Sequence, residues 1–379
     1  MPGGLPIQEV DEDIEVEIRK EAAREASPAK PARASRHRPI SQVSVYEDPV
    51  EVAEVEKKST APPTPVTEID PDNWLLLDQE VEAEAQREVK NIREMFSEQV
   101  DVRDTQMVAE YHEEIFEYMS QLEGKALPDP NYMERQPDIQ WAMRTSLVDW
   151  LLQIHMRYHM LPETLWIAIN IFDRFLSKRI VNVHKVQLVG VTSMFIAAKY
   201  EEVMAPSVDE FAYITHDGYT KEEILKGERV ILETLDFEIS TYCSPYTWVR
   251  RISKADDYDV QTRTLSKFLM EVTLLDHRFL RAKPSLIAAI GMYMARIMLG
   301  QTWNHAFVFY SGFTEAQLLG PARFLVEVLR DDLFEEKFLY KKYSNKKFLK
   351  ASAYARNWSL SEASQEFMDK QPSRTPLPS

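Results

Sequence analysis

From about Thr105 onward, apolar residues recur at spacings of three and four, the mark of helices with one buried face. Val108, Tyr111, Ile115, Tyr118 and Leu122 make the first such stripe, ended by Gly124. Five further helices are predicted in quick succession, over about Trp141 to Tyr158, Pro162 to Leu176, Val183 to Glu202, Ser207 to Thr215 and Thr220 to Leu235. Pro162 and Pro206 stand beside helix starts, and Thr220 followed by Glu223 reads as a capping box. After a break at Phe237 to Pro245 comes a second set, over about Tyr246 to Lys254, Val260 to Leu275, Pro284 to Leu299 and Thr314 to Val328, with a basic stretch near Tyr340 to Ala355. No segment alternates at period two for long, so the predicted class is all-α.

The two sets have similar length and helix order, a weak internal repeat of roughly a hundred residues. The middle helix of each is apolar nearly all round and rich in small residues: Gly190, Ser193 and Ala197 in the first, Ala288, Ala289, Gly291 and Ala295 in the second. Such a helix belongs at the centre of a bundle, where small side chains let neighbours approach. The pattern predicts two helical bundles in tandem, over 105–240 and 241–358.

The ends differ in composition. Residues 1–104 are rich in Glu, Ala, Pro, Ser and Lys and lack the apolar density that offsets ordering entropy, so this acidic segment reads as a disordered tail with a transient helix around Leu77 to Met95. Residues 359–379 read as a second disordered tail. Proline-directed phosphorylation sites are expected at Ser27, Thr64 and Thr375. Net charge is −16, and roughly two thirds of the excess acid lies in the first hundred residues, which disfavours nucleic acid or an anionic membrane as partner and favours a protein. One cysteine, Cys243, excludes an internal disulfide and a cysteine-based zinc site and fits a reducing compartment. The first twenty residues lack an apolar core behind a basic start, and no stretch offers about 18 uninterrupted apolar residues, so a soluble, non-exported protein is expected.

Reacting groups are not legible. There is no phosphate-cradling glycine loop, no G-x-S-x-G and no His/Glu pair at metal spacing. His155 and His159 lie four apart, but without a third ligand they read as a solvated helix face. No catalytic residue, metal or cofactor is predicted.

Two constellations remain. In MRTSLVDWLLQ, residues 143–153, Met143, Leu147, Trp150 and Ile154 share one face, which periodicity alone assigns to core; Arg144 lies elsewhere, with Asp173 as a plausible ion-pair mate. In MFIAAKYEEV, residues 194–203, Lys199 closes a run otherwise built for burial, with Ile196 and Tyr200 beside it. Downstream, Glu228 heads an apolar ridge with Leu232 and Leu235. Taken alone, Lys199 complements a helix dipole and Glu228 is a solvated charge.

MRTSLVDWL, LPETLWIAINIFDRFLS, VQLVGVTSMFIAAKYEEV and YTKEEILKGERVILETLDFEI, in this order, resemble the cyclin box. YHEEIFEYMSQLE, YMERQPDI and WVRRISKADDYDVQTRTLSKFLMEVTLLD resemble B-type mitotic cyclins, fungal ones especially, and the likeness runs from about Val108 to Trp358. The resemblance implies two tandem cyclin-box bundles with a preceding N-terminal helix. It implies a regulatory subunit, not an enzyme, that forms a one-to-one heterodimer with a mitotic cyclin-dependent serine/threonine kinase, activates it and helps recruit its substrates, in the nucleus and cytoplasm. Lys199 and Glu228 would hold the start of the kinase's mobile C helix, Ile196, Tyr200, Leu232, Phe237 and Ile239 would form an apolar groove for its face, and Ile115 and Tyr118 would add contacts. Pushed inward, that helix completes the kinase's lysine–glutamate pair.

On the same resemblance, Met143, Leu147 and Trp150 form a surface patch for Arg-x-Leu peptides of substrates and inhibitors, flanked by Gln153 and Gln187. Ser146 departs from the family's usual apolar residue there, which predicts altered peptide docking. The family's Arg-x-x-Leu destruction box is also missing: residues 1–104 contain neither Arg-x-x-Leu nor Lys-Glu-Asn. Either the mark lies upstream of this chain's first residue, or turnover uses another signal. The second box carries Met298 where a rough repeat alignment puts Lys199, so it buttresses the first. Two other uses of a helical repeat stay open: a promoter-binding initiation factor, which one cysteine and an acidic chain argue against, and a plain helical adaptor.

Overall fold

The computed structural model of the chain describes residues 79–96 and 111–370, Asp217 excepted. The phosphorylation sites expected at Ser27, Thr64 and Thr375, the stripe residue Val108 and most of both tails lie outside the described residues. Among the described residues there are helices and turns and no strand. Helix α1 is Gln79–Phe96 and α2 is His112–Glu123. The first bundle follows as α3 (Trp141–Arg157), α4 (Pro162–Lys178), α5 (Val183–Glu201), α6 (Val208–Ile214) and α7 (Lys221–Thr234). The second is α8 (Pro245–Ile252), α9 (Val260–Leu275), α10 (Pro284–Met298), α11 (His305–Ser311) and α12 (Glu315–Arg330). Three short helices close the chain: α13 (Phe338–Tyr343), α14 (Ala351–Ser359) and α15 (Glu362–Asp369).

The caps explain the boundaries. Pro162, Pro245 and Pro284 open α4, α8 and α10 at the first turn, where a missing N–H costs nothing. The fifth helix of each bundle starts with a capping box, Thr220 with Glu223 on α7 and Thr314 with Gln317 on α12, so the repeat extends to the chemistry of its helix starts. In each bundle the third helix is the buried axis: α5 is sealed from Leu188 to Ala198, and α10 from Pro284 to Arg296. Gly190 is required there, because a Cβ on it would come within 2.9 Å of Leu147 Cδ2 on α3.

Charged side chains of the first half cap elements of the second. Arg144 forms a fork with Asp173, both bonds 2.8 Å and both side chains fully buried, while its Nη1 donates to the Leu274 carbonyl at the end of α9. Burial alone would lower the Arg144 pKa, but the Asp173 carboxylate raises it well above its ordinary value. Tyr132 donates a further bond of 2.9 Å to Asp173. Asp149 accepts the N–H groups of Phe338 and Leu339 at the start of α13, and Glu123 accepts the N–H and hydroxyl of Ser285 at the start of α10. Each carboxylate sits where a helix start leaves donors free.

Four expectations change. Residues 79–96, assigned to the acidic tail, form a helix docked through Ala85, Val89 and Ile92, because those three residues recur on one face. Residues 362–369, assigned to the other tail, form α15, anchored by buried Phe367. Helix α11 escaped prediction because its seven residues are apolar almost throughout and show no stripe, whereas the equally short α6 has polar positions and a Ser207–Glu210 capping box. His155 is buried, not solvated: its Nε2 lies 3.0 Å from the Leu161 carbonyl, and burial lowers its pKa to about 4.

Candidate partner-binding site

The site begins with two helices brought close. A Cβ on Gly227 would lie 3.1 Å from Thr192 Oγ1, so glycine lets α7 settle on α5. That approach puts Glu228 within an ion pair of Lys199. The partners are unequal: the Glu228 side chain is 11 % exposed and the Lys199 side chain 45 %. The Lys199 ammonium also lies 4.6 Å from the centre of the Phe195 ring. The Glu228 Oε1 atom is sealed from solvent and faces the Lys199 ammonium, its countercharge, so the accessible part of the pair is the lysine end. Reading Glu228 alone as a solvated charge is thereby corrected.

Apolar side chains surround the pair in graded exposure. Ile196 and Ile239 are buried, Leu232 is half-buried, and Tyr200 and Phe237 are 51 % and 66 % exposed. Backbone geometry produces the last of these. Asp236 and Phe237 both adopt the left-handed conformation, with φ of 54° and 57°, and the Phe237 N–H closes α7 on the Leu232 carbonyl at 2.9 Å. Neither residue is glycine, so the turn carries strain of about 1–2 kcal/mol per residue. It turns Phe237 outward and returns Ile239 to the core.

Ile115 and Tyr118 are exposed on α2, so the apolar stripe of that helix faces solvent. The helix is held instead by Phe116, whose ring lies 5.2 Å from that of Trp248 and 4.2 Å from the Arg251 guanidinium, and by buried Met119 and Glu123. Sequence reasoning missed Val203 and Met204, 96 % and 88 % exposed in the loop after Lys199; an apolar pair between a charged helix end and Pro206 was the available signal.

The second constellation lies across α3 and α5. Leu147 is buried against Gly190, Trp150 is half-buried, and Met143 is 39 % exposed beside exposed Gln153 and Gln187. The face assigned to core by periodicity is therefore core at Leu147 and Ile154 and surface at Met143. Ser146 is exposed and returns its hydroxyl to the Ala142 carbonyl.

Among the described residues no group of His, Cys, Asp or Glu is arranged to hold a metal ion, and no helix is long and apolar enough to cross a membrane. Two capped five-helix bundles, one with a charged pair beside exposed apolar side chains, define an all-α protein of two tandem repeats. Comparison with known proteins narrows that class. Residues 114–240 match the cyclin N-terminal domain and residues 243–357 the cyclin C-terminal domain. The G2/mitotic-specific cyclin cdc13 of Schizosaccharomyces pombe and the G2/mitotic-specific cyclin-B of Emericella nidulans are each 49 % identical over 259 residues, 68 % of this chain, covering 53 % and 54 % of the relatives. A viral cyclin from herpesvirus saimiri, at 20 % identity, aligns over 55 % of this chain and 97 % of its own with a TM-score of 0.48, a likeness too loose to carry weight. The chain belongs to the cyclin family and is a B-type cyclin of the fungal kind. It spans about half the length of the curated relatives it matches.

Proposed function

We propose that this chain binds a cyclin-dependent serine/threonine kinase as a one-to-one activating subunit, controls entry into and progress through mitosis, and acts in the nucleus and cytoplasm. The observation that carries the reading is the Lys199–Glu228 pair beside Tyr200, Leu232 and Phe237: an accessible ammonium anchored by a buried carboxylate, next to exposed apolar side chains, suits the start and face of an amphipathic helix. Holding a kinase helix in its inward position stabilises the active member of two conformations, so the chain performs no reaction itself. Val203 and Met204 extend the contact, as do Ile115 and Tyr118. The open edge at Met143, Trp150, Gln153 and Gln187 would dock Arg-x-Leu peptides of substrates and inhibitors, with Leu147 as its floor.

Copurification with candidate kinases, followed by phosphorylation of a histone substrate, tests the central claim. The Lys199→Ala, Glu228→Ala double variant should lose kinase binding and activation; unchanged binding and activity would refute it. Met143→Ala with Trp150→Ala should lower activity toward Arg-x-Leu substrates while leaving activity toward short peptides intact.

A further inference from the structure

Helix α1 lies outside the residues that match the cyclin domains, and it docks on the second bundle along α11 and α12. Its apolar stripe is narrow: Ala85, Val89 and Ile92 are buried, at positions i, i+4 and i+7, and Phe96 follows at i+11. The Phe96 ring stacks on that of Phe309 of α11, with centroids 5.4 Å apart. Val81, Glu82, Ala83 and Glu88 are half-buried beside this stripe, and the remaining positions face solvent.

Polar contacts set the direction of α1. Near its start, Glu82 accepts from Gln317 Nε2 at 3.2 and 3.3 Å, and Gln317 is the capping residue of α12. Further along, burial pushes the Glu88 carboxyl above its ordinary range, opposed by the charge of His305 at the start of α11. Near its end, Arg93 lies over Gly312, the left-handed residue that closes α11; a Cβ there would sit 3.1 Å from Arg93 Nη2. The acid of α1 thus falls within the electrostatic reach of His305 at the start of α11, and its arginine lies over the residue that closes that helix. The groove therefore distinguishes an amphipathic helix in one direction from the same helix reversed. The corresponding short helix of the first bundle, α6, leaves Tyr213 exposed, whereas α11 buries Phe307, Val308 and Phe309.

We infer that the α11–α12 groove of the second bundle is an exchangeable receptor for an amphipathic helix, and that α1 is its occupant in cis. The partner chemistry is that of α1 itself: apolar side chains at i, i+4, i+7 and i+11, with an acid in the first half and an arginine in the last turn. Five apolar side chains, Val81, Ala85, Val89, Ile92 and Phe96, hold α1 while its opposite face is open to solvent, and release uncovers a helix-binding surface in addition to the one proposed on the first bundle.

The test uses the full chain and a fluorescent peptide of residues 79–96, read by anisotropy without any kinase. In the wild-type chain the tethered α1 competes at an effective concentration on the order of millimolar, so a peptide of micromolar affinity should bind about 1000-fold more weakly than to a chain whose α1 is released. The Val89→Asp, Ile92→Asp variant should release it and bind the peptide. The milder Arg93→Glu variant, altered at an exposed position, should give a smaller gain of the same sign and covers the case in which the aspartates impair folding. A peptide with Glu88→Lys and Arg93→Glu should bind the released chain about tenfold more weakly than the native peptide, as loss of roughly 1.4 kcal/mol requires. Equal peptide binding by wild-type and both variants, whether strong or absent, would overturn the proposal, and equal binding of the two peptides would overturn the directional reading.

Discussion

The asymmetry of the Lys199–Glu228 pair makes its two halves respond differently to removal. Lys199→Met leaves the Glu228 carboxylate, whose side chain is only 11 % exposed, without its countercharge. An unsatisfied buried polar group costs about 1–3 kcal/mol. Glu228→Met leaves an ammonium on a side chain that is 45 % exposed, which swings into water; a pair so accessible contributes less than about 1 kcal/mol after solvent screening. The double variant removes both charges and should be near wild-type stability, since an apolar pair replaces an ion pair without loss. Expected, then, is a fall in melting temperature of about 2–4 °C per kcal/mol for Lys199→Met, almost none for Glu228→Met, and recovery in the double variant. Kinase affinity should behave otherwise. A central interface residue is worth about 2 kcal/mol or more, so each single variant and the double should bind a cognate kinase roughly 30-fold more weakly or worse. Scanning calorimetry reads the first set and isothermal titration the second. Equal destabilisation by the two single variants would refute the burial argument, and retained affinity in the double variant would refute the role of the pair.

Other predictions follow from the buried polar groups and the close contacts. Arg144→Met strands the Asp173 carboxylate and frees the Leu274 carbonyl, and should cost about 3–5 kcal/mol in urea unfolding, with both bundles lost in one transition. His155 is held neutral, with a folded pKa lowered to about 4 against an ordinary 6.5; the unfolded chain binds the proton more readily, so stability is full above about pH 6.5 and declines as pH falls toward 4. The decline attributable to this group is on the order of 3 kcal/mol, and His155→Gln should flatten that part of the stability–pH curve. Gly190→Ala would place a Cβ 2.9 Å from Leu147 Cδ2, so Leu147 must move; a loss of about 1–3 kcal/mol and an altered Arg-x-Leu peptide affinity are expected, read by thermal melts and peptide titration.

Periodicity located most of this molecule because a helix announces its buried face every three or four residues. It placed Lys199 and Glu228 each at one end of an apolar stripe, the cyclin-box resemblance joined the two, and Arg144 was matched with Asp173 from two neighbouring helices. It could not say what each face meets. The stripe of Ile115 and Tyr118 is as regular as that of Ile167 and Ile171, yet the first faces solvent and the second the core. His155 looked like half of a solvated pair because spacing carries no information about the element packed above it. Phe237 owes its exposure to two left-handed residues in succession, a conformation that Asp236 tolerates and that phenylalanine does not favour. Helix α1 was legible as a transient helix, but its docking was hidden by composition: a few apolar side chains among glutamates do not look like a docking surface until a groove is there to receive them.

The caps contributed by Glu123, Arg144 and Asp149 bear on what can be separated. Each closes a helix end that belongs to the other half of the molecule: the start of α10, the end of α9 and the start of α13. A cut between residues 240 and 243 would leave three helix ends of one half without partners and three charged side chains of the other without purpose. The repeat is visible in the order and capping of its helices, but neither copy is a spare part. Fragments, chimeras and recombinants that exchange one bundle for a relative's must carry the matching caps, and the smallest heritable piece of this architecture is the pair.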